Sequence, residues 1–136
     1  MINELIKLIQ SQNEELEKLL ELLQTQYEMI MSKDVFGLEG LVDKINESGK
    51  KIAKKEVQRR NLIGEENIME IVNKSDNEEL KKSYGKIKNT LNEVIVKKET
   101  NDTLLKQQII FNNKILAFIN PSREIKTYNS YGNLSR

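Results

Sequence analysis

Ile2, Ile9, Leu16, Leu23 and Ile30 recur every seven residues at the start of this chain. Leu5 and Leu19 stand three places further on, and Ile6, Leu20 and Tyr27 four places further on. An α-helix brings residues three, four and seven apart onto one face, so this spacing predicts a helix over residues 2–31. Neither glycine nor proline interrupts it before Ser32-Lys33-Asp34. Gln12, Asn13 and Gln26 break the stripe with amides and loosen the seam there. A helix with one apolar stripe is stable in water only when that stripe is covered by other elements.

The partners the stripe needs are also helical. Ser32 or Asp34 can cap a second helix by accepting backbone N–H bonds. Leu38, Val42 or Leu41, Ile45, Gly49, Ile52 and Ile63 mark its apolar face, and Glu56 and Arg59 take seam positions near its end. Gly37, Gly40 and Gly49 weaken it, each by up to about 1 kcal/mol relative to alanine. Gly49 is expected to mark a close helix–helix approach. Gly64 ends the segment, and residues 65–74, with Ile68, Met69, Ile71 and Val72, form a short amphipathic turn or helix. Ser75 and Glu78 have the spacing of a capping box for a last helix over roughly 76–119. Leu80, Tyr84, Ile87, Leu91 and Val94 form its first seam; Lys98, Asn101, Gln108 and Asn112 then make the seam polar, with a kink or ending expected near 98–102. The fold class is therefore all-α: an up-and-down bundle of long antiparallel helices, three long and one short, coiled-coil-like. Residues 1–120 form the bundle. Residues 121–136 form a flexible tail, polar enough to be disordered in isolation.

Composition narrows the function. The chain has 136 residues, six glycines, one proline and neither cysteine nor histidine. Without them the commonest general base and thiol nucleophile are missing. No phosphate-binding glycine loop or metal-binding motif is present either, so we expect no enzyme activity and no cofactor. A net charge of +1 argues against general nucleic-acid binding. Residues 1–34, 35–64, 65–79 and 80–136 carry net charges of −4, +3, −5 and +7, an alternation that favours antiparallel neighbours. The cluster Lys50, Lys51, Lys54, Lys55, Arg59 and Arg60 is read as a solvated helix face rather than an RNA site. No apolar run approaches the ~18–20 residues of a membrane span, and the N-terminus lacks the pattern of a signal peptide. A soluble, cytoplasmic protein without stable membrane insertion is expected.

Between Leu104 and Ile119 stand nine large apolar residues, more than the roughly 100° stripe that faces one core. Such a surplus belongs to a partner chain, to a second copy or to a broad interior. Leu104, Ile109, Phe111, Ile115 and Phe118 are the candidate partner contacts; Leu105, Leu116 and Ile119 are assigned to the core.

Several stretches resemble the FlgN-type flagellar export chaperone family. They are the Leu-rich first helix ending in Leu23-x3-Tyr27, the start Asp34-Val35-Phe36-Gly37-Leu38, and the run Gln58-Arg59-Arg60-Asn61-Leu62-Ile63. Asn101-Asp102-Thr103-Leu104-Leu105 is similar to the family's Asn-x-x-Leu-Leu pattern, and Thr127-Tyr128-Asn129-x-x-Gly132 to its tail. The three glycines of the second helix, and a tail that stops soon after Gly132, depart from the pattern. The resemblance implies a cytoplasmic chaperone that holds the terminal helices of hook-associated proteins and passes them to the type III export gate without ATP or metal. It implies a contact of Tyr128 with the export gate or the client. Two other readings stand beside it: a structural coiled-coil protein that self-associates, and a secretion or adaptor chaperone with another client. A weak homo-oligomer is left open.

Overall fold

The computed structural model describes residues 1–120 and, beyond them, only the backbone of Thr127–Tyr128 and Leu134–Ser135. Four helices make up the first 120 residues: α1 (Ile2–Ser32), α2 (Val35–Ile63), α3 (Ile68–Lys74) and α4 (Glu78–Ile119). Thr127 pairs with Ser135 and Tyr128 with Leu134 in an antiparallel ladder of two-residue strands, β1 and β2. The flexibility expected of residues 121–136 otherwise lies outside the described residues. The chain divides into two compact units, Met1–Lys98 and Glu99–Arg136. The first holds α1 to α3 and the start of α4; the second holds the rest of α4.

Local chemistry sets the helix ends. Lys33 adopts the left-handed conformation (φ 60°, ψ 36°), and the Asp34 N–H returns 2.9 Å to the Met29 carbonyl. Asp34, not Ser32, caps α2, its carboxylate accepting the Gly37 N–H at 2.9 Å. Gly37 does more than soften the helix, because a Cβ there would stand 2.5 Å from Asp34 Oδ2 and 2.9 Å from the Met29 sulfur. Gly64, at φ 65°, closes α2 as its position in the sequence predicts. Asn67 caps α3. At α4 the capping box does not form: Asn77 Oδ1 accepts the Leu80 N–H, while the Ser75 hydroxyl donates to the Val72 carbonyl. Asn77 simply stands where its amide reaches the first turn. The helix ending expected as one alternative near 98–102 does not occur, since α4 is helical throughout Glu78–Ile119.

Burial in the Met1–Lys98 unit is organised on α1. Leu5, Ile6 and Ile9 meet Val72 and Leu80, with Ile2, Leu62, Ile63, Ile68, Ile71, Tyr84 and Ile87 packed around them. Farther along, Leu16 and Leu23 meet Val94, with Leu19, Leu20, Ile45, Ile52 and Ile87 around them. Gln12 and Asn13 are buried between the two groups, so the amides that interrupt the stripe also divide the core. On α2 Leu41 is buried and Val42 is exposed.

The seam of α4 differs from the expected one. Leu80, Ser83, Thr90 and Val94 are buried, whereas Tyr84 is half-buried and Leu91 is 44% exposed. Ser83 and Thr90 replace Tyr84 and Leu91 as inward residues because their hydroxyls find partners there. The Ser83 hydroxyl accepts from Gln10 Nε2 at 3.4 Å, and the Thr90 hydroxyl donates to the Lys86 carbonyl at 3.0 Å. Small hydroxyl residues satisfied in this way bury at little cost.

Gly49 is the clearest departure on α2. A Cβ added there meets nothing within 4 Å, so it marks open space rather than a close approach. Gly49→Ala should therefore stabilise the protein by up to about 1 kcal/mol, the helix-propensity difference. Asn77→Ala, which removes a cap, should cost about 1 kcal/mol, and Leu5→Ala about 2–5 kcal/mol. Urea unfolding followed by circular dichroism checks all three; a destabilised Gly49→Ala would show that the glycine is needed for backbone freedom.

Candidate functional site

The apolar surplus of the last helix is on the surface. In the Glu99–Arg136 unit Asn101 is buried and Leu104 and Leu105 are half-buried, but every later large apolar residue of α4 is exposed. Phe111 is 57% exposed and Phe118 89%. Leu116 and Ile119, assigned to the core from their spacing, are exposed as well.

Helical geometry sorts these residues. At about 100° per residue, Leu104, Phe111, Ile115 and Phe118 fall within an arc of about 60°. They form one stripe, spaced 7, 4 and 3 apart. Ile109 points roughly 120–180° away from that stripe, on the flank it shares with Leu105 and Leu116. Four of the five candidate contacts thus share one face and the fifth does not. Periodicity could have shown this, because residue 109 fits neither the three-, four- nor seven-residue spacing from Leu104. Lys106 and Lys114 are the charged residues between Leu104 and Ile119, and no carboxylate occurs there. The side chain of Tyr128, the remaining candidate, lies outside the described residues.

A second feature, which the sequence did not reveal, is a cleft of about 460 Å³ in the Met1–Lys98 unit. Ile9, Gln12 and Leu16 of α1 lie on one side, Gly49, Ile52, Ala53, Glu56 and Arg59 on α2, Ile68 on α3, and Tyr84, Ile87, Lys88 and Leu91 on α4. The open space at Gly49 belongs to this cleft. The only signal for it in the sequence was the pairing of a glycine on one seam with the large side chains of Tyr84 and Leu91 on another.

A polar cluster closes one edge of the cleft. Gln12 Nε2 donates to Glu56 Oε2 at 3.0 Å, and Arg59 Nη2 reaches both Glu56 oxygens at 2.6 and 2.7 Å. Arg60 Nε donates to the same carboxylate at 3.1 Å. Burial alone would raise the Glu56 pKa. The hydrogen bonds from Arg59 and Gln12, the Arg59 charge and the Arg60 bond outweigh it and hold the group at about 2. Of the basic run read as a solvated face, Arg59 and Arg60 are therefore committed to Glu56, and Lys50 pairs with Glu47 at 3.3 Å.

Among the described residues no group of three or more His, Cys, Asp or Glu side chains could hold a metal ion. No helix among them is long and apolar enough to cross a membrane. What the geometry offers is surface for other polypeptides: a helical bundle with an apolar stripe on one helix and an apolar cleft among others. The model of the FlgN family, described as FlgN protein, matches residues 1–136, and the chain belongs to that family. It is thereby placed among chaperones of flagellum biogenesis and protein export. No curated protein and no solved structure gives a significant match.

The Glu56 cluster has a pH signature. Its folded pKa lies below the ordinary 4.5, so the stability it contributes is intact above about 4.5 and is lost as pH falls toward about 2. Glu56→Gln should flatten the pH dependence of unfolding over that window. Glu56→Ala should cost about 1–3 kcal/mol at neutral pH, because Gln12 and Arg59 lose their acceptor. Denaturation midpoints from pH 2 to pH 7 are the check, and an unchanged profile for Glu56→Gln would remove the cluster from the stability account.

Proposed function

We propose that this protein is a cytoplasmic chaperone for hook-associated proteins, binding their terminal helices and delivering them to the flagellar type III export gate. The observation that carries the proposal is the stripe of half-buried Leu104 and exposed Phe111, Ile115 and Phe118, in a chain that belongs to the FlgN family. An amphipathic client helix lays its apolar face along such a stripe. Ile109 is the peripheral contact, on the flank. An up-and-down arrangement of the long helices presents the stripe, and Tyr128 contacts the export gate or the client.

The energetics suit a carrier. Burying one large apolar side chain is worth about 1.5–3 kcal/mol. Ordering a disordered client segment takes back roughly 2–5 kcal/mol. The net is a moderate, reversible affinity that needs neither nucleotide nor metal, because release follows from competition at the gate. The polar residues Lys98, Gln108 and Asn112 oppose the alternative of a continuous homotypic zipper.

Mixing the chaperone with the C-terminal segment of its organism's hook-associated proteins should give a 1:1 complex by size-exclusion chromatography with light scattering. Phe118→Ser and Phe111→Ser should each weaken it by about tenfold or more, with helicity unchanged. Ile109→Ser should matter less. A stable oligomer of the chain alone, with no complex, would assign the stripe to self-assembly.

A further inference from the structure

We propose that the cleft of the Met1–Lys98 unit is a docking groove for an acidic amphipathic helix of a partner protein, separate from the stripe on α4. Its floor and walls are apolar, from Ile9, Leu16, Ile52, Ala53, Ile87 and Leu91. Its volume, about 460 Å³, is that of a site which takes several side chains. The apolar lining continues outward: at about 100° per residue, Ile95 shares the α4 face of Tyr84 and Leu91, and it is 44% exposed.

The rim decides the occupant. Lys81 and Lys88 lie on that same α4 face, within about 80° of Leu91. Neither makes an ion pair among the described residues; the Lys88 ammonium sits over the Tyr84 ring, 5.4 Å from its centre. Across the cleft the lining cation is Arg59, and the one carboxylate lining it, Glu56, is held by Arg59, by Gln12 and by the neighbouring Arg60. Glu56 balances only one of its two arginines, so an apolar floor with a net positive margin calls for a helix whose apolar stripe is flanked by Asp or Glu. A second copy of this chain does not meet that requirement. Its Leu104–Ile119 stretch places Lys114 beside the apolar stripe and has no carboxylate, so like charges would meet. Nucleic acid would satisfy the rim and leave the apolar floor unused.

The test uses the full chain and a designed, fluorescently labelled peptide of about 18 residues, five helical turns. It carries leucines at i, i+3, i+4 and i+7 with glutamates on the flanks; its sibling has lysine for every glutamate. By fluorescence anisotropy the acidic peptide should bind at least about tenfold more tightly than its sibling, and more weakly as salt rises. Gly49→Leu, which places a side chain in the open space, and Lys88→Glu, an exposed change, should each weaken binding several-fold. Phe118→Ser should leave it unaltered, which separates this site from the client stripe. Amide NMR shifts should concentrate at Gly49, Ala53 and Leu91. Four outcomes would each overturn the proposal: no binding of the acidic peptide, equal binding of both peptides, binding that survives Gly49→Leu, or displacement by an RNA oligonucleotide.

Discussion

Burial of the α1 stripe is the constraint on which the Met1–Lys98 unit depends. Both aliphatic groups of that unit are built on it, one around Leu5 and Ile9 and one around Leu16 and Leu23. The other helices contribute fewer buried hydrophobic residues: Leu41 from α2, Val72 from α3, Leu80 and Val94 from α4. A helix as weakened by glycine as α2 persists because α1 gives it a surface to cover, since packing rather than propensity supplies most helical stability. The polar gap at Gln12 is part of the same design. Its amide would be costly to bury alone, and the Glu56 carboxylate that satisfies it is in turn neutralised by two arginines.

The two proposed binding features differ in how they come to be exposed. In the first unit the small residues Ser83 and Thr90 are buried, and the larger Tyr84 and Leu91 line the cleft. In the second unit the helix has more large residues than its surroundings cover. The first is a concave site with a basic margin, and the second a convex ridge of aromatic and aliphatic groups. A bundle can thus offer recognition surfaces without loops or a catalytic pocket. The cost is apolar area left in water, which a free chaperone tolerates and a filled one recovers.

Much of the architecture was legible because it rests on period and punctuation. The seven-residue recurrence set α1, Asp34 and Gly64 bounded α2, and the span free of proline before Pro121 delivered α4. The misreadings share one cause: spacing says which residues are level on a helix, but not which side of the stripe the neighbour will cover. That choice fell on Ser83 and Thr90, which no hydrophobicity pattern singles out. It also left Gly49 beside empty space, where a glycine in a seam suggests contact. The cleft was the least visible feature, because it is a missing volume among four helices rather than a property of any one segment.

The link between α1 and α2 is only Lys33 and Asp34, and Asp34 lies midway in the sequence between Gln12 and Glu56. In a hairpin, residues equidistant from the turn come level, so the 3.0 Å bond between those two side chains acts as a gauge of chain length. Adding or deleting one residue between them would turn every later position of α2 by about 100° and carry the carboxylate away from the amide. A side chain at Gly40 or Gly49 meets open space and would leave that register intact, whereas a change in the number of residues would not. For this half of the molecule, descent should be written more faithfully in the count of residues than in their identity.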